Sequence, residues 1–200
     1  MAQAKTRVGE QRPGGRAERV RTSVLEAASD LLSEVGYDRL SVDEVAERAG
    51  VHKTTVYRRW PTKAELVAEA AQVHSDEHIP IPDTGSLLGD LQVLAAGVVA
   101  EVGSVAGARR SRSIVAAASS SGDLDVELHA FWAHRMAATA PVVERAIERG
   151  EVPAGSDPNL IIEALVGPIW LRLLLTGEPI DKAFAHRIAE LVAAGATRPA

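Results

Sequence analysis

Residues 41–63, SVDEVAERAGVHKTTVYRRWPTK, constrain the chain most. Two short amphipathic stretches flank a single glycine, which leaves room only for a tight turn between two helices. Ser41 followed by Glu44 has the spacing of a capping box, so a helix is predicted to begin there. Val42, Val45, Ala46 and Ala49 give it one apolar stripe. Gly50 supplies the left-handed backbone that ends the helix and redirects the chain. Val51 and Val56 then anchor a second short helix inward. Another capping pair, Thr62 and Glu65, starts the next helix directly after Trp60-Pro61.

The side chains left facing outward are His52, Lys53, Thr54, Thr55, Tyr57, Arg58 and Arg59. Positions 53–59 hold three cations, two threonine hydroxyls and a tyrosine, with no carboxylate. Such a face suits phosphates and base edges, and the layout is that of a helix-turn-helix entering a DNA major groove. Spacing alone also admits a plain helical pair, since short helices around a glycine are common in all-helical proteins. The cationic composition favours the nucleic-acid reading.

Residues 20–66 resemble the DNA-binding domain of the TetR family of bacterial transcriptional regulators. The matching features are Gly36-Tyr37, Leu40-Ser41-Val42, the run over residues 46–51, Thr55-Val56-Tyr57, and Trp60-Pro61-Thr62-Lys63 through to Leu66. Thr54 replaces a residue that is small in many members. Arg58-Arg59 stands where an aromatic or histidine often follows the tyrosine. Those departures bear on the operator sequence and leave the fold alone. The resemblance implies that Tyr57 and Lys63 contact phosphates. Lys53, Thr54, Thr55 and Arg58 are then the candidates for base edges, lysine and arginine suiting guanine and a threonine methyl suiting thymine. His52 and Arg59 fit either role, and Ser41 is a cap that can also reach a phosphate.

Charge is unevenly distributed. The net of −5 averages residues 1–63, with 12 Lys+Arg against 9 Asp+Glu, and a remainder with 10 against 18. A basic nucleic-acid module with an acidic companion produces this asymmetry. The chain has no cysteine, which removes disulfides, thiol catalysis and thiolate zinc sites. No apolar run is seen to approach the ~18 residues of a membrane span, and the N-terminus is polar and arginine-rich. A cytoplasmic protein is expected.

The fold expected is all-α, about nine helices in all. Residues 1–16 read as a disordered basic arm, residues 17–66 as a three-helix DNA-binding domain, and residues 67–200 as a larger effector-binding and dimerisation domain. Pro141 should kink or break the long seventh helix. The eighth, opened by Asp157-Pro158, is apolar on nearly every side: it must be central or be covered by a second chain. In the family resembled, the last two helices pair with those of a second subunit, which implies a homodimer reading a palindromic operator of double-stranded DNA.

That resemblance also implies a small-molecule effector bound among helices 4–8, and a repressor released by it. Phe131, Trp132, Met136 and Trp170 are large enough to line such a cavity, although aromatic residues at these spacings are often plain core. Scarce buried charge suggests an apolar effector, with Arg109, Arg110 and Arg112 taken as an exposed run. His74 and His78 share a helix face but lack a third ligand, so they are expected to face solvent with no metal. No nucleophile elbow, phosphate-binding loop or distinctive carboxylate pair points to an enzyme, and no cofactor is implied. The competing reading is a helical interaction protein of the same fold without specific DNA binding.

Overall fold

The computed structural model describes residues 15–197, and the arm expected over residues 1–16 falls outside them but for Gly15 and Arg16. The order among the described residues is α1 (Arg16–Val35), α2 (Val42–Arg48), α3 (Lys53–Arg59), α4 (Lys63–His78), α5 (Leu87–Gly103), α6 (Val105–Ala118), α7 (Gly122–Glu148), α8 (Pro158–Leu171), a π turn (Arg172–Thr176) and α9 (Lys182–Ala196). The all-helical reading holds.

Side chains start nearly every helix. Ser41, His52, Thr62, Ser86, Ser104, Ser121, Asp157 and Asp181 each accept a backbone N–H in the following first turn, each such cap contributing on the order of 1 kcal/mol. Thr62 Oγ1 takes the amide of Glu65 at 3.1 Å, as the capping pair requires. Ser41 Oγ instead takes the amide of Asp43 at 3.2 Å, so Glu44 is not its partner. Gly50 adopts φ 66, the left-handed turn that separates α2 from α3.

Two hydrophobic cores result. The first joins α1, α2, α3 and the start of α4 to Ile114, Ala117 and Ala118 of α6 and Leu124 of α7. The second gathers α5, α7, α8 and α9. The boundary expected at residues 66–67 falls inside α4, which reaches the first core with Ala70 and ends where Ile79 enters the second. The head therefore rests directly on α6.

Two expectations are corrected. Pro141 neither breaks nor ends α7, which runs continuously through it. Val142, Val143 and Ala146, all fully buried, hold the second half of the helix in place despite the lost backbone bond. In addition, α8 and the π turn form one stretch, Pro158–Thr176, of 19 residues and mean hydropathy 1.5, long and apolar enough to cross a membrane by composition. It has two apolar faces: Ile162, Leu165, Ile169 and Leu173 fill the second core, whereas Leu160, Leu171, Leu174 and Leu175 are exposed.

Candidate nucleic-acid interface and interior cavity

Helix α3 buries one side chain of its own, between Val51 and Trp60 on the same core. Val56 is fully buried, and at ~100° per residue Thr54 and Arg58 lie opposite it, with Lys53 and Tyr57 on the adjoining flank. All four are exposed, Tyr57 to 46%. Lys53 Nζ lies 3.2 Å from Asp43 Oδ2, a pair open enough to solvent to exchange for a phosphate. Thr55 is half-buried at the flank.

The other four candidate contacts have partners within the protein. His52 is the N-cap of α3; its Nδ1 meets Thr54 Oγ1 at 2.9 Å and leaves only Nε2 for a ligand. Ser41 is half-buried in its cap. Arg59 leans toward α4, its guanidinium 3.9 Å from Glu69 and 5.4 Å over the Trp60 ring. Lys63 is turned inward. Its ammonium donates to the carbonyl oxygens of Tyr37 at 2.9 Å and Leu40 at 3.3 Å, and sits 4.2 Å over the Tyr37 ring. Burial lowers its pKa, as expected of an ammonium turned inward.

Behind the head lies a cavity of about 110 Å³. All four expected residues, Phe131, Trp132, Met136 and Trp170, line it. Trp132 makes edge-to-face contacts with Phe131 at 5.4 Å and Trp170 at 5.1 Å. The scarcity of buried charge, from which an apolar effector was expected, does not hold for the lining. His74, Glu101, Arg110, Arg135 and Thr139 also line it.

Arg110 is buried, at 8% exposure, and not part of an exposed run. It is ion-paired to Glu101 and donates to Ser33 Oγ of α1 at 2.7 Å. Arg109 and Arg112 do face outward, on the carbonyls of Glu34 and Leu173. His74 is also half-buried, against expectation, with Nε2 2.8 Å from Arg110 Nη2 and 2.9 Å from Glu101 Oε2. Burial, then the neighbouring Arg110 and His78, lowers its pKa to about 4, so the ring is neutral at pH 7. Its ring stacks on His78 at 4.0 Å, and no three potential metal ligands converge among the described residues.

A tight corner makes this cluster. A Cβ on Gly107 would lie 1.9 Å from the Glu101 carbonyl oxygen, so only glycine lets α6 fold back at 85° to α5 and bring Arg110 beside Glu101. The inward residues were signalled by register: Gly107, Arg110, Ile114 and Ala117 recur at helical spacing, as do Leu128, Arg135, Thr139 and Val142.

A three-helix head with an exposed, cationic second helix of a helix-turn-helix, carried on a helical body with a cavity, defines a DNA-binding regulator. The described pattern of bacterial regulatory proteins of the tetR family matches residues 24–70, and that of the tetracyclin repressor-like C-terminal domain matches residues 81–192. The HTH-type transcriptional regulator AqdR of Rhodococcus erythropolis is 32% identical over 185 residues, covering 92% of this chain and 89% of the relative. The DNA-binding transcriptional repressor TetR of Mycobacteroides abscessus is 32% identical over 190 residues, covering 92% and 97%. The crystal structure of the TetR family transcription regulator SCO0332 superposes with TM-score 0.77 at 30% identity, covering 88% of this chain and 98% of that one. The chain belongs to the TetR family of bacterial transcriptional regulators.

Proposed function

We propose that two copies of this chain pair through α8, the π turn and α9 and read a palindromic operator with their two α3 helices. The observation carrying the DNA contact is the outer side of α3, where Lys53, Thr54, Tyr57 and Arg58 stand exposed together with Val56 buried behind them. Arg58, Lys53 and Thr54 meet base edges, and Tyr57 meets a phosphate through its hydroxyl. Lys63 holds the turn that presents them, and Arg59 and His52 contribute at the flanks. Pairing is supported by the apolar side left uncovered on α8 and the π turn, and by Leu191 of α9, 74% exposed. One head reads too few base pairs. A twofold dimer reads half-sites about 34–36 Å apart.

The protein acts as a repressor in the cytoplasm, and a small molecule in the cavity releases it from DNA by binding the two conformations unequally. Selection of bound duplexes from a random library across a salt series tests the proposal. An enriched inverted repeat is the expected result. Binding that enriches nothing and vanishes with salt would sink it, leaving a helical interaction protein with a basic surface.

A further inference from the structure

The polar end of the cavity holds a complete pair of opposite charges. Arg110 is ion-paired to Glu101, and both face the cavity together with the His74 ring. The second buried guanidinium in the lining, that of Arg135, is also matched, by Asp76 at 3.1 Å. The two buried guanidiniums are thus each matched, and the lining offers strong donors and strong acceptors beside the aromatic residues, with the half-buried Glu127 as its one carboxylate outside these pairs. His74 adds an ambivalent position, because its Nε2 faces a donor on Arg110 and an acceptor on Glu101 and can satisfy only one at a time.

We propose that the cavity selects an uncharged amphipathic effector: a flat apolar body lying against Trp132, Trp170 and Phe131, and a head that donates to Glu101 while accepting from Arg110. Phenols, lactams and amides have such heads. The proposal rests on the cavity being the effector site and names the chemistry of its ligand. A carboxylate would have to displace Glu101 from Arg110 or leave its own charge unmatched in a desolvated site, and an ammonium would meet the same difficulty at Arg110. A neutral head that both donates and accepts adds hydrogen bonds on both sides of the pair and disturbs neither charge. A purely apolar ligand would satisfy the aromatic walls and leave the polar atoms of this end without new partners. Arg110 also holds Ser33 of α1 at 2.7 Å, so a head competing for its N–H groups acts on the helix that carries the DNA-binding head.

A series sharing one body separates these cases: naphthol, naphthoate, naphthylmethylamine and naphthalene, titrated at neutral pH against the full-length protein. Quenching of Trp132 and Trp170 emission, with calorimetry as a second measure, gives the affinities. Naphthol is expected to bind about tenfold more tightly than any of the other three. Glu101→Gln removes the matching charge and is expected to move the preference to naphthoate. Arg110→Gln is expected to move it to naphthylmethylamine. Tighter binding of naphthoate to the unaltered protein would overturn the proposal, and so would tighter binding of the ammonium, drawn by the half-buried Glu127 of the lining. Equal binding of all four would overturn the head-group selection while keeping the cavity as a ligand site. Binding of none would remove the cavity reading itself.

Discussion

The ammonium of Lys63 lies 2.9 Å from the carbonyl oxygen of Tyr37 and 4.2 Å above that residue's ring. From the other side, Ser113 Oγ of α6 accepts the Tyr37 backbone N–H at 3.1 Å. The turn between α1 and α2 is thus gripped by α4 and α6 together, and α6 carries Arg110 on the cavity. Tyr37 is where the head and the body meet.

Lys63→Ala removes donors from several carbonyls at once and is expected to destabilise the protein by about 1–2 kcal/mol. Lys63→Met keeps the aliphatic stem over Tyr37 and should recover only the packing part. Thermal unfolding of both variants decides the role. A lysine whose task is a phosphate contact would leave the unfolding midpoint unchanged and lower the salt slope of DNA binding by about one.

Arg58→Ala is expected to cost about 1–3 kcal/mol of operator binding and to relax preference at one base pair of each half-site. Lys53 differs because Asp43 competes for it at 3.2 Å. Asp43→Asn should therefore raise affinity for every duplex, roughly two- to fivefold at low salt, and the gain should fade as salt rises. Titrations of each variant against the selected operator and a scrambled duplex, at two salt concentrations, check both. An Asp43→Asn gain confined to one sequence would mean that Asp43 reads bases itself.

The head was legible because its signals are local. A cap, a stripe and a glycine lie within 23 residues of chain, and Val56 is the one buried side chain within α3. The contacts of Lys63 were not legible because its partners at Tyr37 and Leu40 are more than twenty residues away, and only the packing of α4 against the α1–α2 turn brings them close. The aromatic side of the cavity was legible from size and spacing. Its polar side was not, since Arg110 sits between Arg109 and Ser111 in a run that composition describes as surface, although its register with Ile114 points inward. Helical periodicity carried that information, and charge obscured it. The two-faced character of α8 was plain, but which leucines remain uncovered depends on where α5 and α9 pack.

His74 links stability to acidity. Its pKa in the folded protein is about 4, below the usual 6.5, so between those values the unfolded chain binds more protons than the folded one. Stability attributable to the neutral ring is then fully present above pH 6.5 and is lost as pH falls toward 4. The neighbours facing the ring are Arg110 of α6, Glu101 of α5, Asp30 of α1, and Glu77 and His78 of its own helix. The unfolding midpoint should drop between pH 6.5 and 4 in the unaltered protein, and His74→Gln should flatten much of that decline. An identical decline in both proteins would place the acid sensitivity in the carboxylates.

The exposed leucines supply the last test. Leu171 and Leu175 are one helical turn apart, 50% and 78% exposed, and Leu191 of α9 is 74% exposed. Single apolar residues on a surface need no partner, but a set along α8, the π turn and α9 forms a patch of the kind that marks an interface. Leu175→Glu removes almost no contact within the protomer, so its folding should change by less than about 0.5 kcal/mol. In a dimer, the same change sets two carboxylates into an apolar seam related by a twofold axis, where each is desolvated against its own copy. Sedimentation should show a dimer for the unaltered chain and a monomer for Leu175→Glu and Leu191→Glu. Operator affinity should collapse in both variants to that of a single half-site, with α3 untouched. A dimer that survives both substitutions would place the interface on another face. Binding of the unaltered chain to neutral lipid vesicles, lost in Leu175→Glu, would mean that the apolar stretch Pro158–Thr176 serves a membrane rather than a second subunit.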